Sequence, residues 1–432
     1  MTLNRYLPRS ADILTLVQPF LLATVYFSIA WGYPPPWLSW SLLIASVVPA
    51  FVIHGFTRLR TPFDVPIAVL LIGLSVSFAF TPYRETGIVT YQTYLLCILT
   101  YYGIVVNGLR LTWYWKLVVS VIGILVLTVV IATFAQDSPG TRVLFYNEWL
   151  YRAASRLPIN AHYHISINAA GTALGSTAPG LIAYAIFSKD HRSRVISLSL
   201  GIFGVLLTIL ASSSSGLIAM LTGLAFVLCL LRPWTLFVLA PLAIAWLSLT
   251  VLIDTSNIPV WASWLLPHTS LLERVHLWKD SFLLIAERPL TGLGPGTWLL
   301  IYNRHHPELF AINPHNDLLT ILSDAGPLGL MAIVAVSAMV MLLVKRSISY
   351  LGSDSGKNQW RALLLATAVS LTSLAANGLF ETTLTATIPP VPLDEILHYH
   401  KFLAIPFGWA LLALLTTARA RLSAPVSKGN DL

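Results

Sequence analysis

Residues 214–252 carry one charge. SSGLIAMLTGLAFVLCLL runs up to Arg232-Pro233, and WTLFVLAPLAIAWLSLTVL follows. A helix needs about 20 apolar residues to cross roughly 30 Å of hydrocarbon, and each side of Arg232 comes close to that length. Inside a bilayer the backbone finds no water, so such a segment satisfies its N–H and C=O groups internally, as a helix. Similar runs lie near 12–31, 38–56, 65–81, 88–106, 115–136, 166–187, 195–211, 214–231, 233–253, 327–344, 361–380 and 401–418. They predict an all-α polytopic membrane protein with about 12 transmembrane helices. Only 10% of the residues are charged, against about 25% in a soluble domain. Little length remains for a separate soluble domain.

Placing the N-terminus in the cytoplasm puts seventeen of the 26 Lys and Arg residues on the inner side, in short loops such as Lys189–Arg194 and Lys345–Arg346. This is the bias the positive-inside rule requires. Both termini are then cytoplasmic. The net charge of +8 reads as loop anchoring, with no call for nucleic acid. Arg5 and Arg9 precede the run 12–31, which is long for a signal-peptide core and reads as an uncleaved first span. Cys97 and Cys229 both lie in apolar runs and give neither a disulfide framework nor a zinc spacing.

The same orientation divides the chain into three parts. Residues 1–253 hold the first nine spans, with an outer loop near 137–165. Residues 254–326 form a large outer loop with interfacial helices, and 327–432 hold the last three spans. Nine of the eleven histidines fall outside. In a Gram-negative cell that face is the periplasm, and the chain sits in the inner membrane. Titratable groups on loops above a rigid scaffold are where binding and chemistry concentrate.

Four outer stretches carry candidate chemistry. The first is NPHNDLLTILSDAGPLGL, residues 313–330. From Pro314 to Val344 a helix would run about 46 Å, too long for one span. Gly326-Pro327 should break it, leaving 314–325 as a short helix at the outer interface. Asn313 then reads as its N-cap and Pro314 as its first residue. His315, Asn316 and Asp317 fall in the first turn, where free N–H groups and the positive dipole end favour an anion. A neutral imidazole there is suited to act as a base beside a phosphate, or is a plain capping residue without chemistry.

The second stretch is SLLERVHLWKDSFLLIAERPLTGLGPGTW, residues 270–298. Leu271, Val275, Trp278, Phe282 and Ile285 form a helical stripe, with Glu273 and Asp280 opposite. It predicts a helix lying on the outer leaflet with Arg274 at headgroup depth. A guanidinium there, with Arg288 further on, can hold phosphate through paired hydrogen bonds. The plain alternative is a snorkelling arginine. Gly292 to Gly296 lacks the lysine and strand of a P-loop. It reads as a turn returning the helix of Arg274 towards His315. The third stretch, residues 154–171, brings Arg156, His162, His164 and Asn168 to the sixth span. No Cys or acidic cluster completes a metal site there. The fourth stretch, ASSSSG, residues 211–216, lies at another outer turn, where its four serines can contact a headgroup or serve as a plain loop. The spans hold almost no charge, so a proton-relay or ion-coupled transporter lacks its usual groups.

The order R-x3-W-x10-P-x2-G-x-G-x-G from Arg274 to Gly296, then P-H-N-D-x-L-x4-D-x-G-x2-G-L from Pro314 to Leu330, resembles the O-antigen ligase and O-antigen polymerase family. Asn168, the Asn377–Glu381 stretch, the span count and the large loop before the tenth span are similar as well. The resemblance implies a GT-C-like fold and an inverting, metal-independent glycosyltransferase without a cofactor. Its donor would be a glycan on undecaprenyl pyrophosphate at the periplasmic face. The acceptor would be lipid A–core, a growing polysaccharide or a protein. It implies that His315 matches the essential histidine and Arg274 the loop arginine, with Asn316 and Asp317 beside the substrate. Family members often carry Ser-Arg-Gly where this chain has Ser214-Ser215-Gly216. Ser215 therefore replaces an arginine expected to hold pyrophosphate, and Arg156 or Arg288 would substitute for it. Beside the ligase stand a polymerase or protein O-oligosaccharyltransferase of the same family, and a non-catalytic lipid-glycan transporter or scaffold.

Overall fold

The computed structural model describes Gln18 and residues 60–110, 113–134, 167–211, 213–252, 268–306, 313–349, 357–379 and 404–423. Among these every regular element is helical. Helices α1 (Asp64–Phe80), α2 (Arg84–Arg110), α3 (Tyr114–Phe134), α4 (Ile167–Phe187), α5 (His191–Leu210), α6 (Ser214–Leu231) and α7 (Leu236–Leu252) fall on expected apolar runs. So do α10 (Asp317–Ser349), α11 (Asn358–Gly378) and α12 (Ala404–Ser423), while α8 (His268–Ala286) and α9 (Trp298–His305) lie in the long connection between α7 and α10. The runs 12–31, Gln18 apart, and 38–56, and the loops 137–165 and 381–400, lie outside the described residues.

Among the described residues, four helices are long and apolar enough to cross a membrane: Arg84–Leu109, His191–Leu210, Ser214–Leu231 and Asp317–Ile348. The clearest lipid-type surface is on α5 and α7, where Leu198, Ile202, Leu206, Phe237, Leu242 and Ile244 are exposed. An apolar face of this size in contact with water would drive association; against lipid it is at home. Asp190 caps α5 by accepting from the Ser193 N–H at 2.9 Å. Hydrogen bonds from Ser193 hold its carboxyl below the usual carboxylate range.

Helix α4 packs against α5, α6 and α11. Glycine makes that approach close: a Cβ on Gly216 would lie 2.6 Å from the Gly171 carbonyl carbon. Small residues that let backbones touch are the usual basis of helix association in lipid, where burial of apolar surface gives no gain. Helix α1 packs on α10, α11 on α12, and α12 on α2. The largest core cluster runs through these helices and includes Phe63, Tyr101, Trp115, Trp360 and Trp409. A second, smaller core ties α8, α9 and the start of α10 together through Leu284, Leu293, Trp298, Tyr302 and Leu319.

One correction concerns α10. On α8 the second core takes one side of the expected stripe: Ile285 is buried, as are Arg274, Ser281 and Leu284, while Val275 and Phe282 stay exposed, as on a helix whose stripe meets the outer leaflet. The sequence showed an apolar stripe but not which neighbour each part of it would meet. Helix α10 begins at Asp317 rather than Pro314, for reasons given below. The expected break is present: Gly326 has φ 62 and ψ −163 inside the helix. A Cβ there would meet the Leu290 carbonyl oxygen at 2.8 Å, so position 326 admits glycine on both counts. Pro327 has no N–H to give to the residue four back. The Ser323 carbonyl thus left over accepts from the N–H groups of Leu293, at 2.8 Å, and Gly294, at 3.3 Å.

Candidate functional site

Side-chain hydrogen bonds join the ends of helices distant in sequence. The Asn316 Nδ2 donates to the Leu379 carbonyl at 2.9 Å, linking the start of α10 to the end of α11. Two residues before Leu379, the Asn377 Nδ2 donates to the Thr172 Oγ1 of α4 at 2.8 Å. One residue from Thr172, Gly171 packs on Ser213 and Gly216 at the start of α6. From the other direction, the Trp278 Nε1 of α8 donates to the Pro314 carbonyl at 3.0 Å. The Arg288 Nη1 donates to the Phe80 carbonyl at the end of α1 at 3.3 Å. The start of α4, α6 and α10 and the end of α1 and α11 therefore share one end of the bundle, with α8 against it.

His315 lies in the turn between two of these bonds, one from Trp278 to Pro314 and one from Asn316 to Leu379. The Asn313 Oδ1 accepts from the His315 N–H at 2.8 Å, and His315 takes φ +51. An L-residue in this left-handed region stores about 1–2 kcal/mol. Next, the Asn316 Oδ1 accepts from the N–H groups of Leu318, at 2.9 Å, and Leu319, at 3.1 Å. Asn316 is thus the N-cap, and Asn313 closes the turn before it. The sequence placed the cap three residues early because both positions are asparagine, and only the contacts with Trp278 and Leu379 decide between them. His315 consequently lies outside the helix, half-buried, on a strained turn. The expected free N–H groups at this helix mouth are also corrected. Two of them, on Leu318 and Leu319, are taken by Asn316, so fewer N–H groups stand beside the dipole to favour an anion.

Arg274, expected at headgroup depth, is buried at 8% exposed. It lies one turn before Trp278 on the buried face of α8, and Trp278 reaches the turn of His315. The turn of Gly292 to Gly296 acts as expected in bringing α8 back towards α10. Gly292, Gly294 and Gly296 all have positive φ. Asp317 is buried and Asn316 half-buried beside His315. Ser215 is 1% exposed, with its hydroxyl 3.0 Å from that of Ser213, the N-cap of α6. It is packed into the joint between α4 and α6, which removes it as a headgroup contact. Asn168 occupies the first turn of α4, one turn before Thr172. Arg156, His162 and His164 lie outside the described residues. Among the described residues no three His, Cys, Asp or Glu side chains gather as a metal site.

The sequence reading missed a buried carboxylate. Asp324 is fully buried on α10. Its Oδ1 accepts from the Gly296 N–H at 2.9 Å and its Oδ2 from the Tyr94 hydroxyl at 3.1 Å. One side chain thereby pins the glycine turn and α2 to the segment that carries His315. The signal was present as a lone acid inside an apolar helix, which is costly unless partnered. Its partners lie 28 and 230 residues away and could not be read from spacing.

The family described as O-antigen ligase matches residues 196–334. That segment runs from α5 into α10 and includes Ser215, Arg274, Arg288, His315, Asn316 and Asp317. No curated protein matches the chain.

Proposed function

We propose that this chain, assigned by residues 196–334 to the O-antigen ligase family, is the ligase itself. It moves a glycan from undecaprenyl pyrophosphate to lipid A–core at the periplasmic face of the inner membrane. The coarser statement, glycan transfer of ligase or polymerase type, follows from the family. What supports the finer one is that Trp278, one turn from Arg274 on α8, donates to the turn of His315, at an end of the apolar bundle where Asn316 also holds α11. A donor held by its lipid has its reactive anomeric carbon at the membrane surface, and that is the level at which a bundle end sits.

In this reading His315 takes the proton of the acceptor hydroxyl. The hydroxyl oxygen bonds to the anomeric carbon as the carbon–phosphate oxygen bond breaks, with inversion. The undecaprenyl pyrophosphate leaves with the electron pair. Arg274 and Arg288 offset the charge that grows on it, the dipole end of α10 adding to them. Arg288 would give up its contact with the Phe80 carbonyl, or share it, when phosphate arrives. Ser215 takes no part, since it is packed between helices, and Arg156 supplies the further cation. The rigid turn supports the role of His315. A base held on a strained backbone by Asn313, and flanked by bonds from Trp278 and Asn316, is pre-positioned and loses little order on binding.

The test is complementation of a deletion strain with wild type and with His315→Ala, read on lipopolysaccharide gels and by membrane content of the chain. His315→Ala is expected to insert normally and to lose transfer by about 100-fold or more. Free polymer left on the lipid carrier marks a ligase, and collapse of the ladder to a single repeat marks a polymerase. Full transfer by His315→Ala would remove the histidine from the chemistry.

A further inference from the structure

The end of the bundle remote from His315 carries more positive charge than its described acids balance. Helix α11 starts there, with Lys357 as its N-cap. The cap makes no side-chain hydrogen bond to the helix, and the first turn holds no acid. Helix starts favour Asp and Glu and disfavour cations. This one has Arg361 in its first turn instead, four residues after Lys357 and on the same side of the helix. A third cation comes from α12. The Arg421 guanidinium lies 5.7 Å from the centre of the Trp360 ring, and Trp360 immediately precedes Arg361. Among the described residues two acids belong to this end, and both have partners of their own. Asp190 caps α5 beside Lys116, and Asp64 accepts from Thr61 and Tyr102.

The three cations differ in what they do. Arg421 bonds the carbonyls of Gly108 and Leu109, and Lys357 that of Leu422. These bonds close helix C-termini. Arg361 makes no hydrogen bond or ion pair with a described residue, and its Nε is buried without a partner. It is half-buried as a whole, so it is open to a ligand at the interface. The Arg421 Nε is buried without a partner as well. Such groups are uncommon, and two of them beside an uncapped helix start point to an anion. The cluster also stands on aromatic rings. Trp360 meets Trp115 edge-to-face at 6.2 Å, and Lys116 lies over Trp115 at 5.9 Å. Cations on tryptophan rings at the ends of apolar helices are the composition of a membrane interface. The positive-inside bias of the sequence predicts that this is the cytoplasmic end.

We propose that Arg361, with Lys357 and Arg421, holds the phosphate of an anionic phospholipid at this end of the bundle. The proposal does not depend on the transfer reaction. A guanidinium binds phosphate through paired hydrogen bonds, and basic pockets between transmembrane helices on the cytoplasmic side suit lipid head groups. Acyl chains beside the apolar helices keep such a ligand at this depth, which a soluble anion lacks. Its phosphate sits among the ends of α2, α4, α11 and α12, which Arg421, Asn358 and Lys357 already tie together. The stability of the bundle then depends on lipid composition.

The experiment compares the full chain in nanodiscs of phosphatidylcholine with the same chain in discs that also contain phosphatidylglycerol. The wild-type unfolding midpoint is expected to rise by about 2 °C or more with phosphatidylglycerol. Arg361→Gln and Arg361→Met should each lose that rise, and either carries the test if the other does not fold. Lys345→Gln removes an exposed cation near the end of α10 and should behave as wild type. Native mass spectrometry of protein released from the discs should show about one phosphatidylglycerol kept by wild type and none by the Arg361 variants. Equal retention by wild type and the Arg361 variants overturns the proposal. A rise lost equally in Lys345→Gln overturns it too, as a general effect of surface charge. An equal rise from inorganic phosphate in phosphatidylcholine discs would replace the lipid with a free anion. Retention seen only in Asp354→Asn would replace it with that carboxylate.

Discussion

The two ends of the bundle solve the same problem with different residues. Every helix end leaves backbone groups without intrahelical partners. At the end remote from His315, long cationic and amide side chains reach over helix C-termini. The Arg421 Nη2 donates to the carbonyls of Gly108, at 3.3 Å, and Leu109, at 2.7 Å. Lys357 Nζ donates to the Leu422 carbonyl at 3.1 Å, and Asn358 Nδ2 to the Phe187 carbonyl at 3.4 Å. Positive charge there also complements the helix dipoles. At the His315 end short side chains do most of this. Ser213 and Asn316 cap α6 and α10, Asn316 also serves the end of α11, and Asp324 serves the glycine turn. Arg288 on the Phe80 carbonyl is the one long cation in a comparable role among the bonds described here. The difference is instructive. Long, flexible caps tolerate movement, whereas short ones fix a turn in place, and the strained residue lies in the fixed end.

Removing the shared carboxylate should separate the ends most clearly. Asp324→Ala leaves the Gly296 N–H and the Tyr94 hydroxyl buried without this acceptor. A loss of about 3 kcal/mol is expected, measured as a lowered midpoint of thermal unfolding in detergent, and transfer should fall with it. Asp324→Asn keeps one acceptor and should lose less. Arg421→Met, at the other end, is expected to cost about 1–2 kcal/mol and leave transfer at the wild-type level. If it lowers transfer as far as Asp324→Ala does, the ends are not independent and the contrast fails. The smallest shift should come from His315→Gly. Glycine accepts the positive φ without the steric penalty but loses more backbone entropy, for a net gain within about 1 kcal/mol. The unfolding midpoint should hold or rise while transfer disappears. A clear drop in the midpoint would mean that the imidazole helps to build the turn, and its role would be structural.

The helices themselves were plain in the sequence. For α4 and α6 the expected and observed ends agree within a residue, because apolar length is a local property that the bilayer alone selects. The break at Gly326-Pro327 was legible for a similar reason: a missing N–H and a residue free to adopt positive φ act wherever they occur. The grouping of Arg274, the glycine turn and the P-H-N-D stretch was also visible as a pattern. Which side of α8 the second core would cover was not. Its helix offers two adjacent faces of similar character, and the second core around Trp298 chose between them.

What the sequence determined by itself was helix, apolarity and breakpoint, since each follows from a residue and its near neighbours. The tertiary structure decided which asparagine caps α10, that His315 stands before the helix in a left-handed turn, and that Asp324 ties that segment to the glycine turn. These depend on contacts between parts of the chain as far apart as the 230 residues that separate Tyr94 from Asp324. A buried polar group finds whichever partner the packing brings to it, and no local pattern names that partner in advance.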